Sequence, residues 1–249
     1  MKSLNRARMP GVLALFLICA LITPAQWDKK PYTEWSEKES LKLLDDSPWA
    51  KTQSFVINPG TAGGRSSGSS IQTNIQINFH IRFFSAKPVR QATSRIMELK
   101  QKGNINEEFL TKLKNLANSS FNDRIVVTVV CDSEQHGPSV QEAAMLLQNR
   151  TTANLMSNTF LEVKGQKIYL QEYQSPRGDG FGARFLFPRL VDGKPFITPE
   201  TSEIHFYSEL SGGSPIISGS SSSSSGSPTY TLNQRFKVSA MNFQGNLEY

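Results

Sequence analysis

Cys131-Asp132-Ser133-Glu134-Gln135-His136 brings a thiol, two carboxylates, a hydroxyl and an imidazole into six consecutive residues. General acid–base chemistry needs such groups within hydrogen-bond reach of a substrate. The segment follows an apolar run, Ile125–Cys131, and precedes Gly137-Pro138, which can open a helix. The end of a strand before a helix N-terminus is where open α/β sheets place ligands, and it favours an anion. Asp132 and His136, with His205, are therefore the candidate catalytic residues. The same residue types are also ordinary capping and loop residues.

Other reactive patterns are thinner. The chain has three histidines, His80, His136 and His205. His80 lies on the polar side of an alternating segment, and His205 stands between Ile204 and Phe206. Such lone strand histidines read first as surface or satisfied core residues. No HxH, HxxxH, HExxH or cysteine pair is present, so the sequence motivates no metal site and no cofactor. There is no Gly-x-Ser-x-Gly elbow. Gly178, Gly180 and Gly182 precede a strand, so they read as a hairpin turn and not as a phosphate loop. Arg177-Gly178-Asp179 matches an adhesion tripeptide that a Gly-rich turn also explains.

The element that organises the rest is 71–102. From Ile71 to Phe83, apolar Ile and Phe alternate with Gln, Asn, His80 and Arg82, which defines a strand with one buried and one wet face. After Pro88, the residues Val89, Ala92, Ile96 and Leu99 share one side of a helix. Asn104 or Asn106 can cap a second helix carrying Phe109, Leu113 and Leu116. Ile125–Cys131 is a β-branched strand covered on both faces, and a third helix from Pro138 to about Met156 follows it. Right-handed crossovers would make the strands at 71–84 and 125–131 parallel.

Beyond this the pattern is strands alone. Thr159–Val163 and Lys167–Tyr173 form a hairpin about Gly165; Gly182–Phe187, Glu203–Tyr207, Arg235–Met241 and Phe243–Tyr249 follow. The fold class expected is α+β: a mixed sheet with a βαβα first half and an antiparallel second half.

Residues 1–25 have the pattern of a secretory signal. Lys2, Arg6 and Arg8 precede the apolar Val12–Ile22, and Thr23-Pro24-Ala25 offers a cut before Gln26. An uncleaved anchor is the alternative. Next comes a Trp-rich arm, 26–51, with Trp27, Trp35 and Trp49. Ser36 and Glu39 there have capping-box spacing ahead of a short helix. The tryptophans are expected to dock the arm, a carbohydrate-stacking platform being the alternative. Residues 52–249 make one domain, with flexible Ser/Gly loops at 58–70 and 211–228.

Composition narrows the class. Removing the three leader cations from the 27 Lys+Arg leaves 24 against 21 Asp+Glu, a net charge of +3 that is dispersed along the chain. With no basic run, nucleic acid is not an expected partner. Loss of Cys19 with the leader leaves Cys131 as the one cysteine, so no intramolecular disulfide forms and the core must hold the fold.

Several segments carry a resemblance. Trp35-Ser36-Glu37, Leu43-Leu44, Ser47-Pro48-Trp49-Ala50-Lys51, Ser85-Ala86-Lys87-Pro88-Val89-Arg90-Gln91-Ala92 and the closing Phe236-Lys237, Met241 and Gly245-Asn246-Leu247-Glu248 resemble a group of uncharacterised exported proteins common in soil Acidobacteria. They touch both ends and the middle of the mature chain, and exclude the Ser/Gly tracts. The resemblance implies a bacterial exported protein and brings no catalytic residue with it.

The expectation is a secreted or periplasmic, non-enzymatic binding or scaffolding module of the cell envelope. Its partner would be an envelope or extracellular ligand, and no integral membrane span would remain after signal removal. Two alternatives stand beside it. One is a hydrolase-type enzyme using Asp132 and His136, with His205. The other is an outer-membrane-associated protein, because the alternation from Met241 to the terminal Tyr249 resembles the last strand of a bacterial barrel.

Overall fold

The computed structural model describes residues 27–57, 74–101, 106–211 and 228–249. The signal-like segment and almost all of the two Ser/Gly tracts lie outside the described residues.

The chain opens with a 3-10 turn at Tyr32–Glu34 and helix α1, Glu37–Asp45. The capping box is present: the Ser36 hydroxyl accepts from the Glu39 N–H, and the Glu39 carboxylate accepts from the Ser36 N–H. Strand β1 is Ala50–Ile57 and β2 is Ile75–Phe83, paired antiparallel. Helix α2, Lys87–Lys100, and helix α3, Glu107–Asn118, come next; the Asn106 side chain caps α3 by accepting from the Phe109 N–H. Strand β3, Arg124–Asp132, leads to α4, Pro138–Gln148, which has Pro at its first turn. The helix expected to reach Met156 stops at Gln148. Thr151 accepts from the Asn154 N–H and starts a separate short helix, α5, Thr152–Leu155.

The remaining strands are β4 (Thr159–Val163), β5 (Gln166–Tyr169), β6 (Glu172–Gln174), β7 (Ala183–Pro188), β8 (Leu190–Val191), β9 (Lys194–Pro195), β10 (Glu203–Ser211), β11 (Thr229–Lys237), β12 (Asn242–Phe243) and β13 (Asn246–Leu247). A five-stranded sheet has the order β1-β2-β3-β7-β6, and a four-stranded sheet has the order β11-β10-β4-β5. Between β5 and β6 the chain changes sheets. The Leu170 N–H still bonds Thr159 on β4, whereas the Gln171 N–H bonds Leu186 on β7.

The α+β class is the one read from the sequence. The expected parallel pairing of the strands at 71–84 and 125–131, and with it a mixed sheet, is corrected. Every strand pair among the described residues is antiparallel, β2 with β3 included. The reason is the αα hairpin between them. A single crossover helix returns the chain to the starting end of a strand, whereas two packed antiparallel helices return it to the finishing end. The expected strand Phe243–Tyr249 is likewise replaced by a hairpin of two-residue strands turning at Gln244-Gly245.

The two large sheets pack face to face. Ile77, Phe79, Ile81 and Phe83 from β2 are fully buried, as are Phe206 from β10 and Phe236 from β11. Edge contacts such as Phe83–Phe236, with ring centroids 4.8 Å apart, and Phe185–Phe206, at 5.7 Å, join the sheets. Helix α4 touches β2, β3 and β10, and so bridges both sheets. On the other face of the five-stranded sheet lie α1, α2 and α3. Trp35 and Trp49 are core residues, packed edge to face on Phe243. Their burial makes them docking residues and leaves neither free as a stacking platform.

Candidate functional site

Antiparallel registry lines up the even-numbered residues of β2 with neighbours on the same face. His80 pairs across to Thr52 on β1 and Val130 on β3; Asn78 pairs across to Asp132. This face, wet in the sequence reading, is covered at His80 and Arg82 by the C-terminus of α1. His80 is only 9% exposed.

The docking has a local cause. The last carbonyls of a helix have no partner within it. Here the Leu44 carbonyl accepts from Arg82 Nε at 2.6 Å, and the Asp45 carbonyl accepts from the Thr52 hydroxyl at 3.0 Å. Cations are also favoured at this negative end of the helix dipole. The Asp45 carboxylate then accepts from Arg82 Nη2 at 3.0 Å and lies 3.1 Å from His80 Nδ1.

The tautomer of His80 follows from these partners. The Thr52 proton goes to the Asp45 carbonyl, so the Thr52 oxygen, 2.9 Å from His80 Nδ1, is an acceptor there. Nδ1–H is thus shared between Thr52 and the Asp45 carboxylate. On the far side His80 Nε2 is 2.9 Å from Asp132 Oδ2, which takes a hydrogen bond only from an N–H. This set of partners favours the imidazolium form, with His80 clamped between two carboxylates.

The electrostatics agree. Burial pushes the His80 pKa down, but the hydrogen bond to Asp45 and the charges of Asp132 and Asp45 outweigh it and Arg82, leaving the value above the ordinary one. Burial pushes the Asp45 carboxyl up, yet His80 and Arg82 hold it below the usual range. Burial also lowers the Arg82 pKa despite its Asp45 partner.

This cluster floors a cavity of about 610 Å³. It is also lined by α1 (Leu41, Leu44), α2 (Ile96, Met97, Lys100), α3 (Phe109) and the loop Gly178-Asp179-Gly180. Asp179 is engaged within the chain: it accepts from the Phe181 N–H and pairs with Arg184 Nη2. The adhesion tripeptide therefore has its carboxylate tied down. Gly182 closes the loop, with φ at +75° and its α-carbon against the Val129 carbonyl, where a β-carbon has no room.

The three residues expected to act together do not meet. Asp132 joins the cavity, but its imidazole partner is His80. His136 is exposed on the loop after β3, where Ser133 and Gln135 bond back to Gln76 on β2. His205 lies on the face of the four-stranded sheet that points away from the five-stranded one. There it bonds Asn233 Oδ1 at 2.6 Å, with Glu162 3.9 Å away. Cys131 on β3, opposite Phe79 of β2, is partly buried against the core, and burial pushes its thiol up to about 12. Among the described residues no group of three His, Cys, Asp or Glu side chains is placed to hold a metal ion.

The sequence reading missed His80, Arg82 and Asp45. One signal pointed to two of them: His80 and Arg82 are the two charged or titratable residues on a strand face otherwise made of Gln and Asn. No family model matches the chain, and neither a curated protein nor a solved structure matches it.

Proposed function

We propose that this chain is a non-enzymatic binding module, exported to the bacterial cell envelope or exterior, that takes a small molecule into the cavity floored by His80 and Asp132. The observation that supports it is the double commitment of His80. A general base needs a nitrogen free to accept a proton, and here Nε2 is engaged by Asp132 while Nδ1 is engaged by Thr52 and Asp45. What such a clamp offers a ligand is fixed, preorganised polarity at the base of a pocket. The cavity volume falls within the roughly 300–1,000 Å³ usual for small-molecule sites. Among the described residues no helix is long and apolar enough to cross a membrane.

Met97 provides the test, because its side chain lines the cavity and faces Gly180. The purified protein, labelled with ¹³C at its methionine methyls and assigned with Met97→Leu, would be screened against a library of water-soluble fragments. Saturable shifts of the Met97 methyl are the expected result. A library that leaves that methyl unmoved overturns the reading. Export is tested separately: protein recovered from periplasm and medium should begin at Gln26.

A further inference from the structure

We infer, building on the binding reading above, that the ligand is a neutral, hydroxyl-rich ring: a monosaccharide, a disaccharide or a similar cyclic polyol.

The inference starts from the charges. Each carboxylate at the cavity has a cation fixed behind it. Asp45 is held by Arg82 and His80, Asp132 by His80, and Asp179 by Arg184. The floor itself is balanced, Asp45 and Asp132 against Arg82 and His80, and Asp179 is matched by Arg184; Lys100 is a further cation of the lining. A cationic ligand would have to draw a carboxylate from its partner, leaving a partly buried charge unmatched, and an anionic one, even with Lys100 to meet it, would face the exposed oxygens of Asp132 and Asp45. A neutral ligand meets no such cost.

The geometry then selects the hydrogen-bonding type. An ionised carboxylate has about four acceptor positions, and a cation behind it occupies only part of them. Asp132 receives His80 on Oδ2 and Asn78, at 3.4 Å, on Oδ1, and its side chain is still 57% exposed. Asp45 is 39% exposed beside it. Oriented acceptors on a charge-balanced floor suit hydroxyl donors, and hydroxyls on neighbouring ring carbons can reach both oxygens of one carboxylate.

The walls complete the match. Leu41, Met97 and Phe109 add apolar surface to the lining. A sugar ring has the same division, with hydroxyls at its rim and C–H groups on its faces. The cavity has room for one or two such rings.

The test uses the same Met97 methyl signal with calorimetry. The probes are glucose, galactose, mannose, maltose and cellobiose, with glucosamine and glucuronate as charged twins of glucose. At least one neutral sugar should shift Met97 and saturate, with the charged twins of glucose at least tenfold weaker. Asp132→Asn should weaken that sugar about tenfold, and Phe109→Ala, which removes apolar lining, should weaken it too. Tryptophan emission reports whether each variant keeps its core. Glucosamine or glucuronate binding more tightly than every neutral sugar overturns the inference and leaves the binding module standing. So does a set of sugars that leaves Met97 unmoved while some library fragment moves it. Silence from sugars and fragments alike overturns both readings.

Discussion

The indole N–H of Trp49 donates to the backbone carbonyl of Glu248 at 2.8 Å, across 199 positions of sequence. The Glu248 carboxylate also accepts from the Lys87 N–H at 2.8 Å. Helix α2 begins at Lys87, and its N-cap residue Ala86 has no side chain that can cap. Glu248 therefore fills the role that Ser36 fills for α1, from a distant part of the chain.

Glu248→Ala should cost about 1 kcal/mol, the usual value of a lost helix cap. Urea unfolding would measure it. Glu248→Gln retains an acceptor and should recover much of the loss. Equal losses in the two variants would assign the effect to charge at the helix dipole.

Stability should fall on the alkaline side because of His80. Its folded pKa is raised, so its contribution is whole below its ordinary value of about 6.5 and is lost as pH climbs through the raised one. Asp45 acts at the other end. Its folded pKa is lowered, so its contribution is present above the ordinary value of about 3.8 and fades as pH falls through the lowered one. The expected profile is a plateau between roughly pH 4 and 6.5 with two shoulders. In His80→Gln the alkaline shoulder of the urea midpoint should flatten; an unchanged slope would refute the clamp.

Gly182→Ala should destabilise far more than Gly165→Ala. Both residues have positive φ, which costs an alanine about 1–3 kcal/mol. At Gly165 a β-carbon meets open space, whereas at Gly182 it overlaps the Val129 backbone, which cannot yield without bending β3. Paired denaturation curves give the difference directly. Equal losses would place no weight on the close approach.

Cys131 should resist thiol reagents in the native protein. With its pKa pushed up to about 12, the thiolate is scarce at pH 8. Labelling by an aromatic disulfide should run orders of magnitude slower than in urea, where the pKa returns to about 8.5. Rapid native labelling would show an open thiol.

The elements of the fold were legible where a local rule governs them. The Ser36 capping box, the Asn106 cap, the hairpin at Lys164-Gly165 and the two faces of β2 all follow from nearest-neighbour chemistry. Strand direction was misread even though both helices between β2 and β3 were visible in the sequence. The crossover rule holds for a single helix, whereas here two helices pack as a hairpin and bring the chain back to the finishing end of β2. The site was half legible. Asp132 stood out beside a reactive-looking segment, but its partner is 52 residues away in sequence. Asp45 is the last residue of α1, and nothing local shows that this helix lies over His80.

Strand β2 carries two independent messages. Its odd positions, Ile77 to Phe83, belong to the apolar core, and its even positions, Asn78 to Arg82, belong to the cavity floor and its supports. A one-residue deletion would exchange the two sets and ruin both. A substitution at an even position leaves the odd set in place. Recognition can therefore drift while the fold stays put: descendants of such a chain could change what they hold by rewriting one side of a single strand.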